Sequence, residues 1–173
     1  MRIHIGANYQ GYALAREIEP ILTAAGHEII WHAAEQFDDN DDYPVYSIRV
    51  GQAVVEDEDN GITSRGVVIG GTGAAEAIAT NKVNGARAVH TDRSDVVQDA
   101  RAHADANILI LGANQVNAQV AVDLLTLLVD EPFLKELDDA RRIINVAEFE
   151  SSGTIEGWMI EYTSGSSGPT ARK

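Results

Sequence analysis

Short apolar runs alternate along the chain with stretches whose apolar residues recur at helical spacing. Ile3-His4-Ile5-Gly6-Ala7 reads as a first strand, followed by Leu14, Ile18, Ile21, Leu22 and Ala25 on one helical face. Pro20 falls inside that helix and is expected to kink it or mark a second start, and Gly26 is a good stop. Glu28 to His32 is a second strand, Glu35 to Asp42 an acidic loop, and Pro44 opens a helix to about Glu56. Gly66 to Gly70 is a third strand; Gly71-Thr72-Gly73 ends it, and the helical segment AAEAIATNK starts at once. Arg87 to His90 gives a fourth strand and Asp92 to Ala104 a helix. Asn107 to Leu111 is a fifth strand, apolar enough to be buried on both faces. Val116, Val120, Leu124 and Leu128 mark another helix, and a last long one runs from about Pro132 to Glu150.

Strands that alternate with helices predict an α/β fold: a three-layer, Rossmann-like open parallel sheet of about five strands, with helices on both faces. The boundaries are a domain over 1–150, with an extended C-terminal helix, and a tail over 151–173. That tail carries TSGSSG and one apolar trio, Trp158-Met159-Ile160, expected to dock on its own domain or on a partner at a dimer interface. Ligands on such sheets bind at the carboxyl ends of the strands. Three segments lie there: Asn8-Tyr9, Gly70 to Glu76, and the turn Gly112-Ala113-Asn114.

Composition narrows the partners. The 173 residues carry a formal charge of −14 with no cysteine. That field repels nucleic acid and anionic membrane, and it opposes a phosphorylated substrate unless local groups overcome it. Without cysteine there is neither a disulfide framework nor a thiolate nucleophile. No apolar run is long enough to span a bilayer and the N-terminus lacks a signal-peptide core, so a cytoplasmic protein is expected.

The Gly70–Gly73 turn is the most informative candidate. Glycines let backbone N–H groups approach a ligand, and a helix start favours negative charge. The turn lacks the Lys-Ser or Lys-Thr of a phosphate-binding P-loop and the glycine spacing of a dinucleotide fingerprint, and it reads equally well as a tight strand-to-helix connection. Glu76, one turn into the helix, can return a carboxylate to the loop mouth as general base, or simply complement the helix dipole. His103 ends a helix, where a histidine serves either proton transfer or the dipole. His4, His27, His32 and His90 read as isolated; no pair has the spacing of HExxH, so no metal is expected.

Four segments together resemble one family. They are GANYQGYALA, then Asp41-Asp42-Tyr43-Pro44, then GGTGAAEAIATNKVNGARA, then ARAHADANILILG. In order and spacing they are similar to the ribose-5-phosphate isomerase type B and galactose-6-phosphate isomerase family, over roughly residues 1 to 150. The resemblance implies a cytoplasmic aldose–ketose isomerase of carbohydrate metabolism that works through a cis-enediol on a sugar or sugar phosphate. It implies no metal or organic cofactor, and a homodimer or tetramer of dimers with active sites at the dimer interface.

Carried over residue by residue, the resemblance makes Glu76 the base in the branch that lacks a cysteine at the position of Gly70. Thr72 becomes the enediolate stabiliser, and Gly71, Gly73, Ala74 and Ala75 supply the N–H groups of an anion hole. His103 becomes the ring-opening histidine, Tyr43 an interface-facing substrate contact, and Arg142 a phosphate ligand. Departures stand beside these. Asn8-Tyr9 replaces an Asp-His pair, Ala104 and Asn114 replace an Asn and an Arg, and Asp138 replaces the second phosphate-gripping arginine. The base and anion hole are thus intact while the phosphate grip is incomplete. An isomerase with an altered substrate is expected, with a non-catalytic sugar-binding or regulatory member of the family as the alternative.

Overall fold

The computed structural model describes residues 1–155. Five strands, β1 (Arg2–Ala7), β2 (Glu28–Trp31), β3 (Ser64–Gly70), β4 (Ala88–His90) and β5 (Ile108–Gly112), form one sheet in the order β2-β1-β3-β5-β4. Every neighbouring pair is parallel. The helices are α1 (Tyr12–Ala24), α2 (Tyr43–Asp59), α3 (Ala74–Thr80), α4 (Ser94–Ala104), α5 (Ala118–Asp130) and α6 (Leu137–Ser152).

Alternation along the strands builds two cores. Val67, Ile69, Leu109 and Leu111 face one side with residues of α1, α4 and α5, while Val68, Ile108 and Ile110 face the other with Val50 and Val54 of α2. Three layers result, and β3 and β5 at the centre are buried on both faces. The parallel α/β expectation holds, with boundaries shifted by a few residues.

Two expectations need correction. α1 continues through Pro20, which is exposed, so the carbonyl its missing N–H frees lies on the solvent side of the helix. The last helix begins at Leu137 rather than near Pro132. The apolar trio Trp158-Met159-Ile160 lies outside the described residues.

α6 differs from the other long helices. Asp139 is its one buried residue, whereas Leu137, Ile144, Val146 and Phe149 are exposed. It starts against α4 and ends where Glu150 Oε2 accepts from Gly85 N, 2.8 Å away, in the connection leading into β4. It therefore lies along the amino-terminal edge of the sheet.

Candidate active site

At the carboxyl edge of the sheet, Asn8 follows β1 and Glu76 lies in the first turn of α3, both nearly fully buried. Asn8 Nδ2 donates to Glu76 Oε1 at 3.1 Å. The Asn8 amide orientation is set by the backbone, since its Oδ1 accepts from the N–H groups of Gln10 and Gly11, each at 3.2 Å. Asn8 thus holds one carboxylate oxygen of Glu76, and Oε2 makes no hydrogen bond among the described residues. An aspartate at position 8 would set a second carboxylate against the first.

Local sequence explains why the carboxylate reaches this point. A β-carbon on Gly70 would fall inside the Glu76 carboxylate, so the glycine that ends β3 provides its seat. Gly73 takes φ +80°, a left-handed conformation that suits glycine, and turns the chain into α3. Ala113 N donates to Gly70 O at 2.8 Å and Asn114 N to Gly71 O at 3.0 Å, tying the loop to the turn after β5. Among the described residues, no protein acceptor takes the N–H groups of Gly71, Gly73, Ala74 or Ala75. Thr72 is exposed between the glycines. The carboxyl edge therefore brings together a carboxylate, a hydroxyl and unspent N–H donors.

Tyr9 is exposed, and its N–H donates to Asp41 Oδ1 at 2.6 Å, which fastens the loop after β1 to the acidic loop ahead of α2. Tyr43 opens α2 and is partly exposed; its carbonyl accepts from Ser47 Oγ at 2.8 Å. His90, expected to be isolated, is a residue that sequence reasoning missed. It ends β4 on the same edge, and its Nε2 would lie 2.7 Å from a β-carbon on Gly73. Its place as the last residue of a strand was the available signal.

His103 and Arg142 lie elsewhere. His103 is in the last turn of α4, the helix that returns the chain to the amino-terminal edge where β5 begins. Five strand residues separate that edge from the Glu76 loop, about 16 Å at strand rise. There His103 Nδ1 donates to Asp139 Oδ2 at 2.7 Å, and Arg142 Nη1 donates to Asp139 Oδ1 at 2.5 Å. The Asp139 hydrogen bond, joined by the fields of Asp139, Asp99 and Glu136, raises the His103 pKa above its ordinary value. The same bond, against desolvation, lowers that of Asp139. Asp138 is exposed and pairs with Arg141 at 3.5 Å. One chain thus does not bring Glu76 and His103 together.

A third group corrects the reading of isolated histidines. His4 Nε2 lies 2.9 Å from Asp57 Oδ2, and His4 Nδ1 lies 2.8 Å from His32 Nε2. Arg2 Nη1 donates to Asp57 Oδ1 at 2.7 Å. Desolvation, reinforced by the fields of His4 and Arg49, lowers the His32 pKa to about 4. Among the described residues, no group of three or more His, Cys, Asp or Glu side chains could hold a metal ion. No helix there is long and apolar enough to cross a membrane.

A carboxylate beside a glycine-rich loop at the carboxyl edge of a parallel sheet stands where α/β proteins bind small molecules. The chain belongs to the ribose/galactose isomerase family, whose model matches residues 3–146. Ribose-5-phosphate isomerase B of Mycolicibacterium paratuberculosis is 34% identical over 150 residues, covering 87% of this chain and 92% of the relative. The enzyme of that name from Escherichia coli is 34% identical over 124 residues, covering 69% of this chain and 77% of the relative. A solved ribose-5-phosphate isomerase B from Clostridium thermocellum superimposes with a TM-score of 0.79 at 35% identity, over 89% of this chain and all of that one. That of Mycoplasma genitalium, solved with bound ribulose-5-phosphate, gives 0.79 at 26% identity, over 87% and 97%.

Proposed function

We propose that this isomerase-family chain interconverts an aldose and a ketose through a cis-enediol, in a site completed by a second copy of the chain. The observation that carries the reading is Glu76, buried beside Asn8 with one carboxylate oxygen held and the other uncommitted. Glu76 takes the proton from the carbon next to the open-chain carbonyl and returns it to the neighbouring carbon. Thr72 and the N–H groups of Gly71, Gly73, Ala74 and Ala75 stabilise the negative charge that develops on the enediolate oxygens. Tyr9 and Tyr43 flank the sugar at the mouth. No cofactor enters these steps.

Ring opening falls to His103 of the partner subunit. Within one chain His103 lies at the wrong edge of the sheet, and α6 beside it leaves Leu137, Ile144, Val146 and Phe149 exposed among the described residues. A two-fold partner seated on that helix buries these side chains and brings one chain's His103 to the other's Glu76.

The substrate is a sugar with less charge at its far end than a phosphate dianion. Asp138 stands where the resemblance expects an arginine, and Arg142 is engaged by Asp139. Arg2 pairs with Glu28 and Asp57, and Arg16 stacks over Trp31, so neither is a spare phosphate ligand.

Solvent-deuterium exchange into ribose 5-phosphate and into free four- to six-carbon sugars tests the reading. Deuterium incorporation next to the carbonyl, abolished in Glu76→Gln, is expected. Sugar binding without exchange would instead establish a non-catalytic binding protein.

A further inference from the structure

Asp139 is 4% exposed, the one described residue that α6 buries, and it is a carboxylate. A buried carboxylate needs partners for both oxygens, and here each has a different one: Oδ2 takes the His103 Nδ1 hydrogen and Oδ1 an Arg142 Nη1 hydrogen. Both donors are themselves largely exposed. The bond fixes the imidazole with Nδ1 protonated and leaves Nε2 without a hydrogen-bond partner among the described residues, on a side chain that is 45% exposed. The carboxylate also occupies Nη1 of Arg142, and its negative charge offsets the pull of the guanidinium on a phosphate, while Nη2 and Nε make no hydrogen bond among the described residues.

We propose that Asp139 is a positioning residue of this site, fixing the tautomer and direction of His103 while holding Arg142 back from a phosphate. The proposal rests on the aldose–ketose reading given above and sharpens its substrate class. One carboxylate does two jobs that oppose each other for a sugar phosphate, because the charge that orients the histidine also cancels the arginine. The other groups acting on His103, Asp99 from its own helix and Glu136 ahead of α6, are acidic too.

The test uses the full-length protein and reads no turnover. The His103 imidazole is titrated by NMR, and affinity for inorganic phosphate is measured by calorimetry, in the wild type and in Asp139→Asn. The expected result is a midpoint lowered by at least about half a pH unit and phosphate binding strengthened at least about fivefold. Asp139→Glu should restore much of the midpoint. Should Asp139→Asn fail to fold, Arg142→Gln serves instead: it leaves the Asp139 charge undivided, so the His103 midpoint should rise and phosphate affinity should not. An unchanged midpoint overturns the proposal, and so does unchanged phosphate affinity in Asp139→Asn. If no sugar exchanges deuterium in the wild type, the isomerase reading fails, while these two measurements still decide the role of Asp139.

Discussion

The two edges of the sheet are built by different physics. At the carboxyl edge, Glu76 is placed by shape: Gly70 makes room for it, Asn8 fixes it from one side, and loop hydrogen bonds close the surroundings. At the amino edge, His103 and Arg142 are exposed and held by charge, through one buried carboxylate. Interactions in the dry setting of the first are insensitive to salt, whereas exposed ion pairs weaken as salt rises. The proposed base is held rigidly away from water, while the proposed ring-opening histidine is aimed by a single bond. Steric changes should therefore damage the first edge, and changes of charge, pH or salt the second.

The largest effect expected is at the shape-built edge. Glu76→Gln keeps the volume and the Asn8 contact yet removes the base. Turnover should fall at least about a hundredfold with the fold unchanged by circular dichroism; near-normal turnover would remove Glu76 from its role.

A second experiment asks whether the edges belong to different subunits. Glu76→Gln and His103→Ala chains, each inactive alone, are unfolded together and refolded at equal amounts. Half the dimers are then mixed, and each mixed dimer holds one intact site, so activity should return to about a quarter of wild type. No recovery would place both residues in one chain's site.

Asn8→Ala is expected to be milder. It unties Glu76 Oε1 without removing the carboxylate. Loss of a hydrogen bond to a charged group, about 1.5–3 kcal/mol, would lower kcat by about tenfold to a hundredfold if felt fully in the transition state, with the lower end expected because the carboxylate remains.

The smallest effect concerns the buried histidine pair. His32 has a folded pKa of about 4 against 6.5 when unfolded, so between these values the unfolded chain binds the extra proton. Stability from this group is complete above pH 6.5 and is lost as the pH falls toward 4. After allowance for partial solvent screening the loss is roughly 1–2 kcal/mol. Urea midpoints should fall over that window in the wild type and stay flatter in His32→Gln. His103 has the opposite sign: its raised pKa supports the fold below pH 6.5, and that support fades as the pH climbs through the folded value.

Much of this was legible in the chain. Ile108 to Leu111 could only be a strand buried on both sides, and Asn8, Thr72 and Glu76 all fall just past strand ends. What was illegible depended on pairing between distant segments. His4 and His32 meet because β1 and β2 pair with Arg2 opposite Glu28 and Ile5 opposite Trp31, a register no local pattern states. Asp139 was overlooked beside Asp138 because apolar periodicity marks faces that bury hydrocarbon, and α6 buries a carboxylate instead. His103 reads as a site residue, but its edge of the sheet follows only from the direction of α4 against β5.

The seat that Gly70 provides also constrains how such a site changes over generations. As Glu76 sits, its carboxylate takes the place of a β-carbon at position 70, so filling position 70 requires the flexible end of Glu76 to turn aside. A lineage moving the base to a cysteine at position 70 therefore has to displace the Glu76 carboxylate from the place where it now meets Asn8. The reverse exchange must clear position 70 before a glutamate can fold into place. The two positions are therefore expected to change together, while the surface around them drifts freely.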